Sequence, residues 1–328
     1  MILLTGATGF FGVNATNLLL TEGKDVLATD ISGYPDKALS SFSDNGNLEF
    51  VESDIRDRQQ VRDLFENYKI TEVIHAAAVT ILGSEGIDNS RLIMEVNAKG
   101  SFELMDAAYR DQNVESFVYV SSSGVYGNYG SGRVPVHEDI PYTPSTFYVA
   151  AKIYSELLCK RYDEFSDRPF TIGRIGSPYG PWERPTGVRE RMSPLYQLTH
   201  AGFSGEKIKI YGEEYLRDWT HMGDTARGII SLSQASDEEL EYGTYNVALG
   251  MSVSLDYILG RLSKFTPDFN HEFVGKKAQA DLIFENEYNR GPLDISRIRQ
   301  DCNYQPEYDI DKGLKQYTEW IKEVESPE

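Results

Sequence analysis

The chain opens on Met1-Ile-Leu-Leu-Thr-Gly-Ala-Thr-Gly-Phe-Phe-Gly12, a short apolar run that passes directly into Gly6, Gly9 and Gly12. Glycines at this spacing repeat along one side of a starting helix. The apolar residues before them, and Val13 to Leu20 after them, provide the strand and the helix that such a turn must join. A pyrophosphate can sit on a helix N-terminus only where the backbone comes close and no Cβ intervenes. Leu27-Ala-Thr-Asp30 reads as the end of a second strand, which puts Asp30 where an acidic side chain accepts from the hydroxyls of an adenosine ribose. The opening therefore predicts a dinucleotide site on a βαβ unit.

A chain of 328 residues exceeds the usual size of one hydrophobic core, so a large domain with a smaller one is expected. The net charge of −19 repels nucleic-acid phosphates and anionic membrane surfaces, which argues against both as partners. A small anionic substrate stays open, because a local arginine cluster overrides the global field. Cys159 and Cys302 form neither a disulfide framework nor a metal-ligand spacing. His75, His137, His200, His221 and His271 include no close ligating pair, and no metal is expected. Met1 leads straight into the first strand, and no apolar stretch reaches membrane-spanning length. The expectation is a cytoplasmic protein without a leader.

Buried-strand runs at Ile2–Leu4, Val26–Thr29, Leu48–Val51, Val73–His75 and Phe117–Val120 alternate with helical spacing at Asn14–Leu20, Gln59–Tyr68 and Ser90–Tyr109. A helix over Tyr148–Phe165 and a strand over Phe170–Ile175 continue the series. The alternation predicts an α/β fold of Rossmann type, a doubly wound parallel sheet with its ligand at the strands' carboxyl ends. From Ser177 to Gly212, four prolines and three arginines read as a loop-rich insertion. Residues 243–248 read as a late strand, and the remainder as a small helical and irregular substrate-facing domain. The expected division is 1–174 plus about 217–246 for the nucleotide-binding domain, and about 175–216 plus 247–328 for the substrate domain.

Tyr148-Val-Ala-Ala-Lys152 places a phenol and an ammonium on one face of a helix. It follows, by one loop, a strand ending in Ser121-Ser-Ser123. A phenol with an ordinary pKa of about 10 is a poor base at neutral pH. A lysine ammonium and the positive nicotinamide ring would both favour the phenolate. A serine hydroxyl alongside would orient a substrate alcohol or carbonyl, completing a proton-transfer site beside a hydride acceptor. Asp30 is followed by Ile31-Ser-Gly33, and the glycine turn holds no basic residue. The carboxylate repels a 2′-phosphate, and the expected cofactor is NAD.

With these features the chain resembles the extended short-chain dehydrogenase/reductase family, the group of NAD-dependent sugar epimerases and dehydratases. The matching motifs are Thr5-Gly-Ala-Thr-Gly-Phe-Phe-Gly12, Asp54-Ile55, His75-Ala-Ala-Ala78, Asn97, Ser121-Ser-Ser-Gly-Val-Tyr-Gly127, Tyr148-x-x-x-Lys152 and Arg217-Asp-Trp-Thr-His-Met-Gly-Asp224. They span nearly the whole length. The resemblance implies that Gly6, Gly9 and Gly12 shape the pyrophosphate turn while Phe10 and Phe11 lend backbone amides. It implies Asp30 on the adenosine ribose, Asp54 and Ile55 at the adenine, and Ala76, Ala77, Ala78 and Ile175 along the cofactor. Asn97, grouped with the cofactor site, would hold a kink near it. The family's Ser-x-x-Val-Tyr-Gly frame puts the catalytic hydroxyl on Ser122, with Ser123 as second choice. Tyr148 would be the acid/base and Lys152 its partner, both also touching the cofactor. Thr80, Ser122, Ser177, Arg184 and Arg217 would meet the substrate. A homodimer joined by the helices near Ser90–Tyr109 and Tyr148–Phe165 is also implied.

Several of these residues have plainer readings. Asp54 could instead cap the next helix, Asn97 could satisfy buried backbone groups, and His75, at the end of an apolar strand, suits the core better than catalysis. Arg184, Arg189 and Arg191 offer either a forked anion site or a solvated loop paired with Glu183 and Glu190.

Departures from the family pattern narrow the reaction. Dehydratases and decarboxylases place an acid just after the catalytic hydroxyl, where this chain has Ser123-Gly124. Ser177 stands where nucleotide-sugar epimerases carry Asn, and a second diphosphate-binding arginine would fall near Phe284; Arg217 remains. The first reading is therefore an NAD-dependent dehydrogenase acting on a secondary alcohol of a sugar or sugar acid. The alternative is a nucleoside-diphosphate-sugar 4-epimerase of the UDP-glucose type. A non-catalytic NAD-binding scaffold is the remote third, opposed by the intact Ser122, Tyr148 and Lys152.

Overall fold

A computed structural model describes residues 1–81, 85–129, 133–189, 192–212, 215–284 and 290–325. The chain begins β1 (Ile2–Thr5), α1 (Phe10–Thr21), β2 (Val26–Asp30), α2 (Asp36–Leu39), β3 (Leu48–Glu52), α3 (Arg58–Asn67) and β4 (Glu72–His75). Next come α4 (Glu85–Asp88), α5 (Ser90–Ile93), a π-helical segment (Met94–Gly100), α6 (Ser101–Arg110), β5 (Ser116–Ser122), α7 (Phe147–Asp163) and β6 (Phe170–Ile175). The second half runs β7 (Ser177–Tyr179), α8 (Pro194–Ser204), β8 (Lys207–Tyr211), β9 (Leu216–Arg217), β10 (Trp219–His221), α9 (Met222–Gln234) and β11 (Thr244–Val247). It ends with β12 (Val253–Ser254), α10 (Leu255–Phe265), β13 (Asn270–Phe273), β14 (Leu282–Ile283), α11 (Ser296–Cys302) and α12 (Ile310–Trp320).

Seven parallel strands form the main sheet in the order β11-β6-β5-β4-β1-β2-β3. Leu3, Leu4, Leu27, Ala28, Val73 and Ile74 are buried. Helices on both faces thus explain why these strands read as unbroken apolar runs rather than alternating ones. Strand order reverses between β1 and β4, which opens a crevice at their carboxyl ends. A second apolar core gathers Leu195, Leu198, Ile210, Trp219, Ile258, Leu262, Leu314 and Tyr317 from the later elements.

Three features differ from the sequence expectation. The insertion at Ser177–Gly212 contains α8 together with β7 and β8. Ser193 caps α8 by accepting from the Tyr196 amide at 3.1 Å, Pro194 fills the first turn, and Gly205 ends the helix at φ 69°. One of the prolines that suggested a loop is therefore a helix-starting residue. The C-terminal part holds strands as well as helices: β13 and β14 flank β8 in a small parallel sheet. Finally, the helix expected over Ser90–Tyr109 is interrupted by the π-helical segment, where Asn97 turns inward. Its Oδ1 accepts from the Val79 amide at 2.8 Å, and its Nδ2 donates to the Val79 carbonyl at 2.9 Å. No helix among the described residues is long and apolar enough to cross a membrane.

Candidate active site

The crevice is built first by small residues. Gly6 has φ 69°, and a Cβ there would lie 2.6 Å from the Ala77 nitrogen. The segment after β4, Ala76 to Ala78, can therefore lie against the turn. A Cβ on Gly12 would fall 2.2 Å from the Gly6 oxygen, so α1 can begin directly on the turn. Gly9 caps α1 with no side-chain hydrogen bond, and no acidic residue occupies the first turn. The amides of Phe10, Phe11 and Gly12 are thus left as donors at the positive end of a helix dipole. This donor set, with a cradle that a Cβ would fill, fits a dinucleotide diphosphate. At the end of β2, Asp30 accepts from the Thr8 amide at 3.1 Å and the Thr8 hydroxyl at 2.8 Å, which fixes its carboxylate beside the turn.

Asp54 does not cap α3. Asp57 does so, accepting from the amides of Gln59 and Gln60. Asp54 is instead gripped by the Arg56 guanidinium, whose Nε lies 2.9 Å from Oδ2, and this hydrogen bond holds its carboxyl below the usual range. Ile55 is buried under Gly100, and Ile175 ends β6. His75 lies between the hydroxyls of Thr5 (2.7 Å) and Ser101 (2.9 Å), and burial pulls its pKa down to about 3. It is a neutral core histidine.

The residues expected to transfer the proton sit where β5 ends and α7 begins. Thr146 caps α7 by accepting from the Val149 amide at 3.2 Å, which sets Tyr148 in the first turn. Lys152 lies one turn on, its Nζ 5.9 Å from the Tyr148 ring centroid and donating to the Val120 carbonyl at 2.8 Å. Burial lowers Lys152 to about 7, opposed by the charge of Glu156. Burial raises Tyr148, opposed by a hydrogen bond with Ser122 and the charge of Arg189. Without cofactor, then, the downward pull on the phenol comes from Ser122 and Arg189 rather than from Lys152. The two serines face different ways: Ser122 meets Tyr148, whereas Ser123 accepts from Arg290 Nη1 at 2.6 Å.

Behind this group lies a buried polar network that sequence reasoning missed. Glu156, one turn past Lys152, accepts from Ser121, from Tyr142 at 2.9 Å and from Arg174 Nη2 at 2.6 Å. Arg174 also donates to the Tyr126 hydroxyl at 2.9 Å and the Glu138 carbonyl at 2.7 Å. Both members of the ion pair are buried. Its partners are spread over four segments, so no local motif announces it.

On the substrate side, Ser123, Ser177, Arg217 and Arg290 line one cavity. The Arg217 Nε is buried and has no hydrogen-bond partner among the described residues. Arg290 Nε donates to the Gly127 carbonyl at 2.8 Å, while burial and the charge of Arg217 bring its pKa down to about 9. Asp218 ties the cavity walls together, accepting from the amides of Leu249, Gly250 and Leu293 at 3.0–3.2 Å. The position near Phe284 holds no arginine, and Phe284 itself belongs to the second core. The other arginine of the cavity, Arg290, stands in Arg290-Gly-Pro-Leu-Asp294, closer to the Asp-x-Ser segment than the spacing expected of a second diphosphate-binding arginine.

Arg184 does not join Ser177 and Arg217: its Nη2 donates to the Thr8 carbonyl at 2.7 Å, on the glycine turn. Nor is its loop a solvated run of ion pairs. Glu183 is buried, and pairs with Arg189 at 2.8 Å and the Ser193 hydroxyl at 2.6 Å. Thr80 donates its amide to the Val188 carbonyl at 3.0 Å, binding that loop to the segment beyond β4. Arg191 and Glu190 lie outside the described residues.

Residues 2–248 match the model of the NAD dependent epimerase/dehydratase family. The chain is 30% identical to a UDP-glucuronate 4-epimerase of Thermodesulfobacterium geofontis, covering 98% of this chain and 96% of that protein. It is 26% identical to a dTDP-glucose 4,6-dehydratase of Neisseria meningitidis, covering 97% and 92% respectively. In fold it is similar to the crystal structure of a UDP-glucose 4-epimerase from Thermotoga maritima solved with UDP-glucose. That likeness has a TM-score of 0.84 and 22% identity, and covers 99% of each chain.

Proposed function

The chain belongs to the NAD-dependent epimerase/dehydratase family, enzymes that move hydride at a secondary alcohol of a sugar, and from that premise we propose that it interconverts C4 epimers of a nucleoside-diphosphate sugar. The observation that carries this reading is the pair of guanidiniums, Arg217 and Arg290, in the cavity that Ser123 and Ser177 share. Two cations beside two hydroxyls suit a diphosphate. Arg290 offers a guanidinium in place of the one missing near Phe284, one of the two departures that favoured a dehydrogenase on a free sugar or sugar acid.

Bound NAD supplies the hydride acceptor. The first-turn amides of α1 would hold its diphosphate and Asp30 its adenosine ribose. Tyr148 takes the proton from the sugar hydroxyl, which Ser122 orients, and returns it after the keto sugar has turned over in the cavity. Lys152, anchored on the Val120 carbonyl, stays beside the phenol and would hold the nicotinamide ribose. Gly124 leaves no carboxyl after the serines for an elimination, which separates the reading from that of the dehydratase relatives.

The reading is tested by titrating UDP into the protein. Arg217→Ala and Arg290→Ala should each weaken UDP about tenfold or more, since a charge-assisted hydrogen bond contributes about 1.5–3 kcal/mol, while NAD affinity holds. UDP binding indifferent to both changes would remove the nucleotide-sugar assignment.

We also propose that two copies pair through α6 and α7. Phe102, Tyr154 and Leu157 on these helices are 38%, 44% and 54% exposed, an apolar face of the kind that marks an interface.

A further inference from the structure

The segment after β7 is shaped unusually. Trp182 has φ 71°, a conformation that a bulky side chain seldom adopts. It is held there by an edge-on contact with Trp320, at 5.0 Å between ring centroids, and by the Asn14 side chain donating to the Pro181 carbonyl at 2.9 Å. The turn sends Glu183 into the interior, where Arg189 and Ser193 hold it. Arg184 follows and is aimed at the glycine turn. Val188, accepting from the Thr80 amide, returns the segment to the crevice wall, and Arg189 lies 5.5 Å from the Phe10 ring centroid. The stretch from Trp182 to Arg189 therefore straps the mouth of the dinucleotide crevice from α12 to the segment beyond β4.

We propose that Arg184 is a cofactor-binding residue that clamps the dinucleotide's diphosphate from the open side of the crevice, rather than a substrate ligand. Its Nη2 is fixed on Thr8, the residue between the Asp30 carboxylate and the first-turn amides of α1. Its Nη1 is buried and has no hydrogen-bond partner among the described residues, which costs free energy unless something accepts from it. The glycine turn brings no charge of its own, because no lysine or arginine precedes Lys24. Amide dipoles alone would face a doubly charged diphosphate, and Arg184 adds a full positive charge at that place. Burial lowers the Arg184 pKa, opposed by the Asp30 carboxylate, and a guanidinium, whose ordinary pKa lies far above neutral pH, stays charged. A clamp of this kind suits the reading above, in which the dinucleotide stays bound through each turnover, and the inference rests on that reading.

The test is calorimetric titration of NAD, ADP-ribose and adenosine into wild-type, Arg184→Ala and Arg184→Gln proteins, with UDP titrated separately. The expected result is a tenfold or greater loss of affinity for NAD and ADP-ribose in both variants, with adenosine and UDP within twofold of wild type. Circular dichroism melts identify a variant that has not folded, and the Gln variant keeps the volume if the Ala variant fails. Unchanged NAD affinity overturns the proposal, as does an equal loss for adenosine, or a loss of UDP or sugar-nucleotide affinity alone. The wild-type NAD titration separates the two failures: no binding there defeats the underlying reading itself.

Discussion

At the residue scale the account rests on Tyr148. Positioned general acid–base catalysis contributes about 10²–10⁴-fold, so Tyr148→Phe should lower turnover by a factor in that range while NAD titrates normally. A fall in activity matched by lost NAD affinity would show a damaged crevice instead of a missing proton carrier. His75 makes a separate prediction about stability. Its folded pKa of about 3 lies below the ordinary histidine value, so on acidification the unfolded chain takes up a proton that the folded one refuses. Its contribution is complete above about pH 6.5 and declines by about 1.4 kcal/mol per pH unit as pH falls toward 3. Asp218, raised to about 6 by burial, gives a slope of opposite sign between about pH 4 and 6. The quantity to measure is therefore the difference between wild type and His75→Gln in urea unfolding, which should shrink as pH drops from 6.5 to 4. The Tyr148 and Lys152 spacing, the serine run and Asp30 were legible in the sequence because each lies in a short motif with a fixed offset. Arg290 was not. Its partner Ser123 is distant in the chain, and the spacing to Asp294 differs from the family pattern.

At the scale of elements, α7 serves two purposes with one face. It sets Lys152 beside Tyr148 and on the Val120 carbonyl of β5, and one turn later anchors itself to β6 through Glu156 and Arg174. Breaking a buried ion pair by removing one charge costs roughly 3–5 kcal/mol, because the other is left uncompensated. Glu156→Gln should lower the urea midpoint by a corresponding amount, and a midpoint equal to wild type would show the pair to be structurally idle. Most of the βα alternation could be read from apolar runs and helical spacing, which report burial directly. What could not be read depended on contacts made after folding. β13 and β14 are strands because β8 lies between them, whereas the π-helical segment, where Asn97 meets Val79, falls at the kink that the resemblance assigned to Asn97. The start of α8 does carry a local signal, Ser193 ahead of Pro194, which the loop-rich reading of that insertion left unused.

At the scale of the whole molecule, one apolar core gathers the inner strands of the main sheet with α1 and α9, a second gathers the later elements, and Ser123, Ser177, Arg217 and Arg290 line a cavity. If α6 and α7 form a shared interface, sedimentation should show a dimer for the wild type and a monomer for Leu157→Asp combined with Phe102→Asp. A dimer unaffected by both changes would place the contact elsewhere. The central claim, that this crevice turns a sugar over and returns its hydride, is tested most directly by proton NMR of UDP-glucuronate or UDP-glucose incubated with the protein and a trace of NAD, with NADH absorbance followed in the same tube. The account predicts the C4 epimer growing to equilibrium with no net rise in NADH. Steady NADH formation with an oxidised sugar and no epimer would contradict it.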